Sequence, residues 1–451
     1  MPVRKLDTKG LLAEGPSEME ADEALSIAAR AALRRAGGPL AEVINPPPLN
    51  QGADFYRQGQ YVGPPLRETP VSPEEVFKLS ADPNRWSYQE YSNKYDANPP
   101  ESFFTGLLGG PVDLGPESIE RYDPPKGTKS RMANAIKMPE VKKGMLDLAQ
   151  KGIAQKDWYK TKPLLKRYTD ILGEKKGTEK FIKDIKIFSA VSAGAAVPAN
   201  VKMASYYQYL AEQGLDLDKP KKGSGYGSLT ADTQRKAVQE YLQKGELGDV
   251  EKAKRVTFTA NFLGQEDYVT SDRHNMRTIG MLSKDPEFLK TSLILSKKAD
   301  IQRFKDLGFT IKRTGTPETS VRKDRKYKIE PQAEFAKGKL SMEKALQIPV
   351  LWSDAPQKTE YKAYEEFQRK LAKEMGLTAA EFQASLWFGA ESMTGVESPA
   401  ERMIDTIEKR VRYTAEQLGV EPKIIFEQYI KGEIPLAQMQ DMQSQYGGLL
   451  A

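Results

Sequence analysis

Proline is the residue that most limits what this chain can build. Of its 29 prolines, 17 precede residue 126, in runs such as "INPPPLNQG", "YVGPPLRETPVSP" and "YDANPPES". Proline fixes φ and has no N–H, so a stretch this rich in it supports neither long helices nor a central sheet. Residues 1–125 are therefore expected to form an extended arm with short helices, one at "SEMEADEALSIAARAALRRAGG" and one at "SPEEVFKLSA". Charge divides at the same boundary. The arm holds 12 Lys and Arg against 19 Asp and Glu, whereas residues 126–451 hold 56 against 43. Aromatic side chains such as Tyr61, Trp86, Tyr91, Tyr95 and Phe104 are too frequent in the arm for a solvated linker. It should lie on the body or on a neighbouring subunit.

Behind the arm the period becomes helical. From about residue 138, "PEVKKGMLDLAQKGIAQKDWYKTKPLLKRYTDILG" places apolar residues three and four apart, as amphipathic helices require. "TEKFIKDIKIFSAVSAGAAVPANVKMASYYQYLAEQG" opens at Thr178, a candidate cap, and breaks at a small-residue turn before resuming. "TADTQRKAVQEYLQKG" and "VEKAKRVTFTANFLG" end on glycines suited to a left-handed cap. No alternating strand pattern of useful length interrupts residues 126–282, so the fold is expected to be mainly α. With 451 residues, 39% of them hydrophobic, the chain can bury one sizeable core or two.

Residues 283–349 differ. Residues 301–330 hold nine Lys and Arg against four Asp and Glu, and "GFTIKRTGTPETSVRKDRKYKIEP" alternates about a Gly-Thr-Pro turn. That pattern reads as a hairpin, either a solvated insertion or a basic strand pair that follows a phosphate backbone. Residues 350–451 return to amphipathic helices with glycine stops, the last of them a tail suited to packing on another chain. Absent cysteine excludes disulfides, zinc–thiolate centres and cysteine nucleophiles. No cofactor or metal is expected. Neither an apolar signal-peptide core nor a run of about 18 apolar residues is present, so secretion and membrane insertion are not expected.

The single histidine, His274, sits in "YVTSDRHNMRTIG" among Asp272, Arg273 and Arg277. Asp272 follows "VTS" and precedes a helical segment, so its carboxylate is placed to cap that helix. A neutral ring in a helix contact, a phosphate contact and a proton carrier are the roles open to His274. Lys252, Arg255, Arg273, His274 and Arg277 together would make a basic face with salt-dependent phosphate affinity.

The stretch from Lys254 to Asp272 resembles the segment of helix-hairpin-helix DNA glycosylases, the endonuclease-III-like group, that joins the catalytic helix to the catalytic aspartate. "SDRHNMR" resembles their aspartate-led block, Gly264 marks the turn, and "FSAVSAGAAVPANVKMA" is similar to an upstream helical element of theirs. The likeness covers roughly residues 180–280. Their hairpin glycines are matched only by Gly245 and Gly248 in "KGELGDVEKAK", and the turn is one residue longer, so Lys252 competes with Lys254 for the amine position. The resemblance implies a lysine amine that attacks sugar C1′, an aspartate that stabilises cationic charge, and a pocket for an extruded base. Tyr206, Tyr207, Tyr209, Phe258 and Tyr268 are the aromatic candidates to line it.

Over about residues 155–390 the chain also resembles phage-encoded proteins with the string "PKVxxFxxNLLGdxxxVTxDRHxxRxxG". Lys254, Phe258, Asn261, Gly264, Val269, Thr270, Asp272, Arg273, His274, Arg277 and Gly280 match it, and "GLTAAEFQASLW" recurs there. This implies a viral origin, in the virion or the host cytoplasm, and no particular reaction. Two functions follow as expectations. One is a DNA-associated protein with a glycosylase-like body, with or without surviving catalysis. The other is a virion component whose arm and tail bind neighbouring subunits, including copies of itself.

Overall fold

Two capping boxes organise the arm. Ser72 and Glu75 cap α1 (Pro73–Ala81), and Ser87 and Glu90 cap α2 (Tyr88–Ala97), each serine accepting from the glutamate's backbone N–H while the glutamate returns the bond. The computed structural model describes residues 56–57, 60–61, 65–107, 109–114, 130–192, 196–217, 226, 232–245, 247, 253–295, 298–314, 326–353, 355–395 and 401–440. The expected helix in "SEMEADEALSIAARAALRRAGG" lies outside these residues.

The fold is mainly α. A two-residue ladder, β1 (Tyr56–Arg57) with β2 (Gln60–Tyr61), precedes α1. After α2 come α3 (Ser130–Ala135), α4 (Pro139–Lys151), α5 (Lys162–Leu172), α6 (Glu174–Ala190), α7 (Val197–Glu212), α8 (Asp232–Lys244), α9 (Ala253–Phe262) and α10 (Arg273–Ser283). The 283–349 region holds β3 (Leu293–Leu295), α11 (Lys298–Asp306), β4 (Lys312–Thr314), β5 (Lys326–Ile329), α12 (Pro331–Ala336) and α13 (Met342–Leu346). Then follow α14 (Lys358–Glu374), α15 (Ala379–Gly389), α16 (Glu391–Thr394), α17 (Met403–Leu418) and α18 (Pro422–Lys431). Helix α6 starts at Glu174 behind Gly173 (φ 81°), not at Thr178. The glycine's left-handed turn opens the helix one turn before the hydroxyl.

Two hydrophobic cores result. The first joins α5–α9, α17 and α18 with arm residues Val71, Val76, Tyr91, Phe104 and Val112. The second joins α4, α10 and α14 with Phe288, Leu295, Phe304, Phe309, Ile329 and Trp352. Helix α15 serves both, giving Ala380 and Ala384 to one and Phe382 and Leu386 to the other. It meets α4 at glycines: a Cβ on Gly389 would lie 1.8 Å from the Leu148 carbonyl oxygen, and one on Gly152 2.0 Å from that of Ser385.

The described residues of the 283–349 region pack on the second core through Leu295, Phe304, Phe309 and Ile329; residues 315–325, with the Gly-Thr-Pro turn, lie outside them. The region's sheet runs β3-β5-β4, antiparallel throughout, with Leu293 opposite Ile329, Leu295 opposite Tyr327 and Arg313 opposite Tyr327. Leu295 and Ile329 are buried in the second core, while Ile294, Lys328 and Lys312 form a row on the other face. The alternation about the Gly-Thr-Pro turn thus yields β4 and β5, and "LIL" adds β3.

The outward tail expected at the C-terminus is not what α17 forms. Its residues from Met403 to Glu416 are almost all buried, because its polar side is covered by the arm. Lys409 Nζ lies 2.8 Å from Asp96 and 2.9 Å from Glu401, Lys94 reaches Glu416 at 2.6 Å, and Arg410 lies over the Tyr88 ring. Parallel bridges pair Arg67 with Val420 and Ser87 with Gln440. Gln428 closes the contact, accepting from the Val71 N–H and donating to the Val71 carbonyl. Among the described residues no helix is long and apolar enough to cross a membrane.

Candidate functional site

Helix α9 carries Lys254 in its first turn, and the chain then reverses at Gly264. That glycine has φ +90°, and a Cβ there would lie 1.6 Å from the carbonyl oxygen of Val112. Only glycine combines this backbone with so close an approach by the arm. Asn261 holds the reversal from inside. Its amide nitrogen donates to the carbonyls of Tyr268 (3.0 Å) and Gln265 (3.1 Å), and its oxygen accepts from Thr270 Oγ1 (3.2 Å).

Helix α14 grips the same turn from the second core. Tyr361 Oη donates to the Val269 carbonyl (2.8 Å) and accepts from the Ser271 N–H (3.1 Å), while lying 3.0 Å from Thr257 Oγ1 on α9. Glu365 accepts from the Val269 N–H at 3.2 Å, and Arg369 donates to the Asp267 carbonyl at 2.7 Å. Burial pushes the Glu365 carboxyl above its ordinary range, with Arg369 and the Val269 N–H opposing. These three residues were not singled out in the sequence. Their signal is the four-residue spacing, which puts Tyr361, Glu365 and Arg369 on one face of α14.

So positioned, Asp272 caps α10. One carboxylate oxygen accepts from the N–H groups of His274 (3.0 Å) and Asn275 (3.5 Å), and the Asn275 side chain returns a bond to the Asp272 N–H (3.3 Å). The other oxygen lies 3.9 Å from Lys254 Nζ. The pair is asymmetric: the Asp272 side chain is 7% exposed and that of Lys254 38%. It sits where α9, part of the first core, turns into α10, part of the second.

The expected basic face is arranged differently. Arg277 is 1% exposed and His274 2%, because both serve α16. Arg277 donates to the Thr394 carbonyl (2.9 Å), and His274 Nδ1 lies 3.3 Å from Thr394 Oγ1 with its ring 5.2 Å from that of Trp387. Burial lowers the His274 pKa to about 4, against the pull of Asp272 and with help from Arg277, Lys254 and Arg273. The ring is neutral at pH 7. Arg255 is buried too, which lowers its pKa, Glu240 opposing. Arg273 is half-buried. Lys252 lies outside the described residues.

Nor do the aromatic candidates gather beside Asp272. Tyr206 stacks on Tyr226, Tyr209 meets Phe77, and Phe258 packs among Trp158, Tyr159, Phe188 and Phe262. Tyr207 is buried in the first core, and Tyr268 is half-buried in the turn. The groups that do surround the pair are polar. Tyr159 Oη donates to Gln383 Oε1 (2.6 Å) and is held well above its ordinary pKa by burial. Among the described residues, Ser271 Oγ, Asn275 Nδ2, Gln383 Nε2 and Trp387 Nε1 are buried without a hydrogen-bond partner. Buried polar atoms are nearly always paired; Ser271 and Asn275 flank the α10 N-terminus, while Gln383 and Trp387 reach it through Tyr159 and the His274 ring. The chain matches no family model, no curated protein and no solved structure.

Proposed function

We propose that this chain is a DNA-associated protein of phage origin whose Lys254–Asp272 pair faces the sugar–phosphate backbone, in the manner of a glycosylase-like enzyme with little or no surviving turnover. The observation that carries this reading is the approach of Lys254 Nζ to within 3.9 Å of Asp272 Oδ2, an accessible amine beside a shielded and oriented carboxylate. A carboxylate fixed by the backbone N–H groups of α10 is set to stabilise positive charge developing nearby. An amine at that distance is set to attack an aldehydic sugar carbon.

Borohydride trapping on duplex DNA with one abasic site tests the chemistry. Attack by the amine on the C1′ aldehyde expels water to form an imine, which borohydride reduces to a stable adduct. The expected result is an adduct in the wild type that Lys254→Ala abolishes and Lys252→Ala keeps. An adduct untouched by Lys254→Ala, or none at all, removes the reading that the pair acts on sugar.

A further inference from the structure

With Arg255, His274 and Arg277 in the interior, the outward-facing positive charge lies elsewhere. Arg303, Lys305, Lys312, Arg313, Lys337 and Lys339 are exposed, and the acidic side chains exposed among the described residues 298–344 are Asp306 and Glu343. These groups belong to one module. Lys339 Nζ donates to Thr310 Oγ1 (3.4 Å), and Lys344 donates to the Leu307 carbonyl, joining the loop after α12 and the start of α13 to the α11–β4 connection. On the sheet, Lys312 stands directly opposite Lys328, and both share the carboxylate of Glu330. Like charges in direct cross-strand register oppose pairing. Next in the row is Ile294, 48% exposed.

We propose that this face binds the phosphate backbone of duplex DNA, its lysines and arginines displacing condensed counterions while Ile294 lies against sugar. The proposal rests on the DNA association argued above and supplies the phosphate contacts that the buried arginines do not.

The test is fluorescence anisotropy of a short labelled duplex over a salt series, using the full chain. Each phosphate contact contributes about 0.9 to the slope of log affinity against log salt. The triple variant Lys312→Gln, Lys337→Gln, Lys339→Gln is expected to lower that slope by about 2 to 3, and Lys254→Ala by no more than about 1. All three substitutions are at exposed positions, and an unchanged melting temperature verifies the fold. A slope preserved in the triple variant overturns this surface while leaving DNA association standing. A wild type that fails to bind duplex at low salt overturns both. Displacement of the DNA by polyglutamate as effectively, per charge, as by unlabelled duplex overturns it in favour of an acidic protein partner.

Discussion

Asp272 combines two roles in one carboxylate, and substitutions can separate them. As a cap, it should be worth about 1 kcal/mol against alanine. Asparagine caps nearly as well and carries no charge, so Asp272→Asn should hold stability within a few tenths of a kcal/mol while removing the anion beside Lys254. Urea denaturation of the two variants checks this: equal losses would mean that the negative charge, not the cap, stabilises the helix. His274 offers a cleaner reading because it is the only histidine. Its ordinary pKa of 6.5 falls to about 4 in the fold. Between those values the unfolded chain takes up a proton that the folded chain refuses, so stability declines as pH drops from about 6.5 and levels off near 4. The loss attributable to this ring is on the order of 3 kcal/mol. An NMR titration of its ring protons should place the midpoint near 4; a midpoint above 6 would mean that the ring meets solvent.

At the scale of elements, the reversal between α9 and α10 depends on Gly264. Gly264→Ala must both strain a φ of +90° and move the Val112 carbonyl, so a loss of at least about 2 kcal/mol is expected. Chemical denaturation measures it, and a neutral result would show that arm residues 109–114 do not rest on the turn. Most helices were legible in the sequence because each buries one stripe, and the approach of Lys254 to Asp272 was an expectation that rested on a resemblance rather than on the local pattern. What the sequence hid was long-range. Arg273, His274 and Arg277 read as one cationic cluster, yet Thr394, more than a hundred residues on, draws two of them inward. Helix α17 read as an exposed tail because nothing local announces that Asp96, Lys94 and Tyr88 will cover its polar side. Strand β3 is three residues long and takes its meaning only from β5.

For the whole molecule, the sharing of α15 predicts how the two cores come apart. A helix that buries Ala384 in one and Leu386 in the other ties their unfolding together. Calorimetry of the full chain is expected to give one transition for residues of both cores, with agreement between calorimetric and van't Hoff enthalpies. Truncating Trp352, buried in the second core, should lower that single transition by about 3 to 5 kcal/mol; two resolved peaks would mean independent cores. The pairing of Arg67 with Val420 and of Ser87 with Gln440 bears on how the protein is made. During translation the segment around Tyr88 and Tyr91 leaves the ribosome more than three hundred residues before its partners, and such distant contacts form late. Until then those rings wait in a nascent chain without a surface to cover, in an arm that carries 19 Asp and Glu against 12 Lys and Arg.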